Sequence, residues 1–131
     1  MPNDKLIGID VGTTAIKAGV LDKSGTVFAR FVESYPTKRT GTTVVEQDPD
    51  DWVRLIGKAL SSFNENEIAA IGLCSQVNTH VFVDTEGKAL CPAILWQDRR
   101  ASDERGGQRK AIAHDARERC HQLTLRHPQV H

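Results

Sequence analysis

The sequence predicts an α/β fold with a mixed sheet whose first three strands run antiparallel, and two observations carry that expectation. Short alternating apolar runs fill much of residues 6–33, separated by turns that contain glycine. After a stretch rich in Thr, Pro and Gly come one strongly amphipathic segment and then one continuous apolar run. Three strands, a helix and a returning strand make a β-β-β-α-β unit. A chain of 131 residues suits one core and leaves no room for a second lobe of comparable size.

Taken in order, residues 6–10 read as a first strand and residues 15–22 as a second, where Ile16, Ala18 and Val20 alternate with Lys17 and Gly19. "DVGTT", residues 10–14, is the turn between them. "DKSG", residues 22–25, reads as a hairpin turn feeding a third strand, "TVFARFVE", because Gly25 takes the positive φ that such a loop needs. Residues 34–47 read as a loop or a short irregular edge. A helix is predicted in "EQDPDDWVRLIGKALSSF". Asp48 suits its N-cap, Pro49 its first turn, and Asp50 and Asp51 complement the positive end of the helix dipole. Trp52, Leu55, Ile56, Ala59, Leu60 and Phe63 fall on one helical face and are assigned to the core. "IAAIGLCS", residues 68–75, is expected to be a buried strand. Residues 81–84 and 88–91 flank "DTEG" and read as a second hairpin laid out like "VLDKSGTV"; residues 92–96 are a last extended piece.

The formal net charge is zero, so electrostatics point to neither nucleic acid nor anionic lipid as a partner. No run approaches the roughly 18 apolar residues of a membrane span, and the N-terminus lacks the pattern of a secretory signal, so a cytoplasmic location is expected. Cys74, Cys91 and Cys120 are odd in number and lack CxxC spacing, which argues against a disulfide framework or zinc site and predicts reduced thiols.

Chemistry concentrates in three stretches. In "GIDVGTT", backbone N–H groups of a Gly-containing turn beside Thr hydroxyls can accept anionic oxygens, and Asp10 at a strand end can orient magnesium through its water shell. The bland alternative is an Asp that merely caps its own turn. In "GLCSQVNTHVFVD", Gln76 and Asn78 follow a strand and can offer amides to sugar hydroxyls, or serve only as loop polar groups. His80 is expected to be a structural residue. In "AILWQDRR", Trp96 offers an apolar wall to the carbon face of a sugar; otherwise it plugs the core and the arginines open a solvated helix.

Together "IGIDVGTTAIKAGVLD", "EQDPDDW", "GLCSQVNTHVFVD" and "PAILWQDRRAS" resemble, over residues 6–104, the N-terminal half-domain of the FGGY family of carbohydrate kinases. The resemblance implies a ribonuclease H-like (actin-like ATPase) fold, here an incomplete half-domain, with sugar bound mainly on this lobe and ATP held largely by a second. It implies phosphorylation of a sugar or polyol hydroxyl with ATP and Mg2+ as cofactors. By position, Asp10 is the magnesium-organising carboxylate, acting through water. Gly12, Thr13 and Thr14 face the phosphates, with Lys17 as an addition. Gln76, Val77 and Asn78 match the sugar-contacting segment, which resembles Gln-Met-His-Gly in xylulokinases and Gln-Arg-Glu in glycerol kinases. This chain has neither pattern, leaving a pentulose, another ketose or a polyol open. Trp96 matches a Trp that borders substrate in glycerol kinases.

The aspartate that serves the family as general base falls beyond this chain, so no catalytic residue is assigned and the isolated chain is expected to be inactive. Residues 1–104 are read as the partial kinase domain and residues 105–131 as an atypical tail. The tail holds six Lys or Arg against two acids, four of the five histidines and no aromatic residue of the Phe, Trp or Tyr type. It reads as out-of-frame sequence. The alternatives are a selected ending with a helix over residues 108–121, giving a non-enzymatic sugar-binding module, or a subunit completed by another chain or an oligomer.

Overall fold

The computed structural model describes residues 5–63, 68–100 and 102. They form two compact units, one of residues up to Pro36 with Asp50–Val77, the other of Thr37–Pro49 with the residues from Asn78 onward. The expected tail, including its helix over residues 108–121, lies outside the described residues.

The first unit holds β1 (Lys5–Val11), β2 (Ala15–Asp22), β3 (Val27–Ser34), helix α1 (Pro49–Ser62) and a further strand, Ile68–Ser75. Numbered in chain order this strand is β6, after β4 (Lys38–Thr40) and β5 (Val44–Gln47) of the second unit. The sheet order is β3-β2-β1-β6, with β1–β2 and β2–β3 antiparallel and β1–β6 parallel. Hairpin turns suffice for the first two pairings, while the parallel one needs a long crossover, which contains α1. Ile7, Ile9 and Val11 lie opposite Val20, Ala18 and Ile16. All six are buried with Leu55, Ala59 and Phe63 of the helical segment, and Trp52, Ile56 and Leu60 pack around that cluster. Leu55 is fully buried, so Leu55→Ala is expected to cost roughly 2–5 kcal/mol. The helix starts at Pro49 with Asp50 and Asp51 in its first turn, as the sequence predicts.

Two expectations are corrected, at β6 and at Cys91. The apolar run of β6, an edge strand of this sheet among the described residues, is exposed along nearly its whole length, with Leu73 63% accessible. Within residues 34–47, read as a loop or a short irregular edge, β4 and β5 pair and join β7 (Ala93–Ile94) in a sheet of order β4-β5-β7, with the three-residue β4 at its edge. Their pairing partner is distant in sequence, so no local pattern announces it. Cys74 is free as expected, but Cys91 is disulfide-bonded, a pairing for which spacing rules give no signal; Cys120 lies outside the described residues.

In the second unit the expected hairpin around "DTEG" is present as a turn with a single bridge, Val83 to Ala89, and a hydrogen bond from Leu90 N–H to the Phe82 carbonyl at 2.9 Å. His80 exchanges two backbone bonds of 2.9 Å with Ile94, and its side chain is exposed. Among the described residues no helix is long and apolar enough to cross a membrane.

Candidate functional site

The turn after β1 is tight because its ends meet: the Gly12 N–H donates to the Ala15 carbonyl at 3.1 Å. A Cβ on residue 12 would stand 3.1 Å from that same oxygen, so the close approach favours glycine. Two further contacts come from Tyr35, directly after β3. Its hydroxyl donates to the Gly12 carbonyl, and its backbone N–H reaches the Thr14 carbonyl at 3.4 Å. The Tyr35 side chain is buried, and its ring meets Trp52 of α1 with centroids 6.4 Å apart and planes tilted by 58°. Burial, reinforced by the nearby Asp10 charge, pushes the Tyr35 phenol up to about 12.

Asp10 does not cap its own turn. Among the described residues its carboxylate takes one side-chain hydrogen bond, from the Cys74 thiol to Oδ1 at 3.5 Å. Partial desolvation by its neighbours, together with this bond and the Asp10 charge, raises the exposed Cys74 thiol above its ordinary range. The hydrogen bond that Asp10 makes to a side chain among the described residues therefore reaches β6.

Strand register explains what surrounds it. On the sheet face away from α1, Lys17, Asp10 and Cys74 form one row across β2, β1 and β6. The next row is Gly19, Gly8 and Gly72, three positions without side chains. They floor an open cavity of about 560 Å³ whose rim carries Asp10, Lys17 and Arg30. Two cations near the Asp10 carboxylate, over bare backbone, can receive an anionic group that a metal ion helps to neutralise.

The predicted sugar segment begins in the first unit. The Gln76 N–H donates to the Val11 carbonyl at 2.9 Å, extending the β1–β6 ladder by one bond, and Val77 beyond it is exposed. Asn78 has φ of 55°, a left-handed conformation that Asn tolerates better than most residues. Asn78 and Trp96 belong to the second unit. The structure thus brings together Asp10, Gly12, Thr13, Thr14 and Lys17, with Gln76 and Val77 at the end of the neighbouring strand.

Trp96 is 53% accessible and does not plug the core. Its turn is held from beneath by "DRR", which is no solvated helix start. Asp98 Oδ2 accepts the Val45 N–H at 2.7 Å, and Arg100 donates to both Asp98 oxygens and to Glu46 at 2.7–2.8 Å. Arg39 secures Gln97 at 2.7 Å. Burial alone would raise the Asp98 carboxyl, but Arg100 and the backbone donors outweigh it and hold it below the usual range. The bonds to Asp98 raise the Arg100 guanidinium in turn. Sequence reading missed Tyr35 and Arg100. The single Tyr of the chain, set beside a proline after a strand, was the available signal for the first; an Asp two residues before an Arg was the signal for the second.

The profile of the FGGY family of carbohydrate kinases, N-terminal domain, matches residues 5–125. The chain belongs to the FGGY family of carbohydrate kinases. It is 36% identical over 103 residues to a xylulose kinase of Staphylococcus xylosus, covering 76% of this chain and 21% of that protein. Against a glycerol kinase of Acinetobacter baylyi the identity is 38% over 104 residues, covering 74% and 21%. The crystal structure of ligand-bound xylulose kinase from Lactobacillus acidophilus superposes with a TM-score of 0.67 at 30% identity, over 88% of this chain and 22% of the other. The fold is therefore that of the FGGY sugar kinases, an actin-like, ribonuclease H-like α/β architecture, and the chain spans about a fifth of the length of the relatives it matches.

Proposed function

We propose that this chain supplies the sugar-side portion of an ATP-dependent carbohydrate kinase that phosphorylates a hydroxyl of a pentulose, another ketose or a polyol. The observation that supports it most is the Asp10 carboxylate, placed at the end of β1 beside a Gly-Thr-Thr turn and left unused by that turn. Asp10 suits Mg2+ held through water, since that ion keeps much of its water shell and takes one or two carboxylates with substrate phosphates. Among the described residues no group of three ligating side chains stands ready to hold a bare ion. When bound, Mg2+ supplies charge neutralisation on the transferring phosphoryl group.

In this reading Gly12, Thr13 and Thr14 orient the phosphates and Lys17, the cross-strand partner of Asp10, adds positive charge beside them. Gln76 and Val77 are assigned to the sugar, and Asn78 and the exposed Trp96 of the second unit are assigned to it by the resemblance alone. No residue here is assigned as general base. A cytoplasmic location is part of the same proposal. Residues 1–104 stay proposed as the kinase portion and residues 105–131 as a separate tail, although the family profile runs on to residue 125.

The test is a chimera in which residues 5–102 replace the matching segment of the S. xylosus xylulose kinase, assayed with MgATP and xylulose, glycerol or gluconate. Phosphorylation of at least one is expected, and Asp10→Asn lowers kcat at least about 100-fold. A folded chimera whose kcat ignores Asp10→Asn overturns the assignment.

A further inference from the structure

The DVGTT turn is gripped from behind by one residue that the phosphate reading does not use. Tyr35 touches it twice, through its hydroxyl at the Gly12 carbonyl and its backbone N–H at the Thr14 carbonyl. The side chain that makes the first contact is buried and backed by Trp52 from the first turns of α1. A peptide unit is planar and, in this chain, trans among the described residues. The carbonyl of Gly12 and the N–H of Thr13 belong to one such unit and point in opposite directions. Holding the carbonyl toward the buried Tyr35 hydroxyl therefore turns the Thr13 N–H the other way, outward from the core.

A glycine at this place makes such a hold consequential. Residue 12 has wide conformational freedom, so its peptide can rotate at little cost unless something fixes it. The Gly12 N–H is tied to Ala15, but that bond fixes the peptide before residue 12 and not the one after. The peptide after it is the one Tyr35 holds. We propose that Tyr35 is a positioning residue for the phosphate turn, its hydroxyl setting the Gly12–Thr13 peptide and Trp52 setting Tyr35. This rests on the reading of Gly12, Thr13 and Thr14 as phosphate ligands. It also gives "EQDPDDW" a second role, because the motif that starts α1 delivers the ring that steadies the turn.

The test compares the full 131-residue chain with Tyr35→Phe and Asp10→Asn by 15N NMR, following the Gly12, Thr13 and Thr14 amides during titration with MgATP. Tyr35→Phe keeps the ring and removes only the hydroxyl. It is expected to shift the Thr13 amide, speed its hydrogen exchange and weaken MgATP binding about fivefold, the size of one hydrogen bond. Wild-type amide positions and affinity in a folded Tyr35→Phe chain, alongside weakened binding in Asp10→Asn, overturn the positioning role and leave the phosphate reading standing. MgATP that moves none of the three wild-type amides overturns both. If Tyr35→Phe does not fold, Trp52→Phe keeps the hydroxyl but loosens its support and is expected to shift the same amide by a smaller amount. A Thr13 amide unmoved in that variant overturns the proposal.

Discussion

Asp10 and Asp22 stand at opposite ends of the β1–β2 pair, and the chain spends their carboxylates in opposite ways. Asp22 Oδ1 accepts the Ser24 and Thr26 N–H groups at 2.8 and 3.0 Å and the Ser24 hydroxyl at 2.6 Å, closing its own turn with Gly25 at φ of 86°. Asp84 repeats this in the second unit, taking the Glu86 and Lys88 N–H groups at 2.9 and 2.8 Å with Gly87 at φ of 83°. Among the described residues Asp10 accepts a side-chain bond from Cys74, and the bonds that close its turn come from Gly12 to Ala15 and from Tyr35. The resemblance of the two DxxG turns is therefore structural, and the DVGTT turn is closed by different bonds.

Asp98 marks a third use, a buried carboxylate paired with Arg100, and the largest effect on stability is expected there. Arg100→Met strands two acids, Asp98 and Glu46, and is expected to destabilise by roughly 3 kcal/mol in chemical denaturation. The folded Asp98 carboxyl is held low, so its contribution is present above its unfolded pKa and is lost as pH falls through the folded value. The gap between wild type and Arg100→Met then narrows in acid. A constant gap down to low pH breaks the claim that the pair is what matters.

Asp22→Ala comes next, with a lower Tm at neutral pH. Its carboxyl too is held below the ordinary range, first by the Ser24 hydroxyl and then by the Thr26 N–H, so the difference shrinks as pH falls through the folded value. Asp10→Asn sharpens the contrast: its Tm should stay within a degree or two of wild type while function in the chimera collapses. Equal losses of Tm in Asp22→Ala and Asp10→Asn would erase the distinction between the two turns.

The smallest effect appears at high pH. The Tyr35 phenol is raised in the folded state, so its contribution is complete below the ordinary value of 10.0 and is lost as pH rises toward about 12. Urea denaturation across that interval should show a fall in stability that Tyr35→Phe lacks. An identical slope in both chains would mean that the buried phenol does not couple to folding.

What was legible in the sequence was local. Ile16, Ala18 and Val20 alternate within one strand, and Leu55, Ala59 and Phe63 recur at helical spacing, so β2 and α1 could be bounded without knowing their neighbours. β5 could not, because Glu46 and Gln47 pair with Ile94 and Ala93 from far along the chain. The apolar run of β6 signalled a strand correctly but not its exposure, which depends on what lies beside Ile71 and Leu73 rather than on their own type. In the candidate site, Asp10 and Gly12 were legible as a turn with an acid. Tyr35 was not, since a lone aromatic residue in a Thr- and Pro-containing stretch shows its partner only once β3 is laid against β2.

The two self-closing turns also bear on the order in which the chain assembles. Each joins residues four apart through an aspartate, and loops of that kind close on the order of 10–100 ns. β1 must instead find β6, and Glu46 must find Ile94, across far longer stretches of chain. The turns at Asp22 and Asp84 need little loop closure, so the folding rate is expected to track the two long-range pairings, and variants that weaken those pairings should slow refolding most.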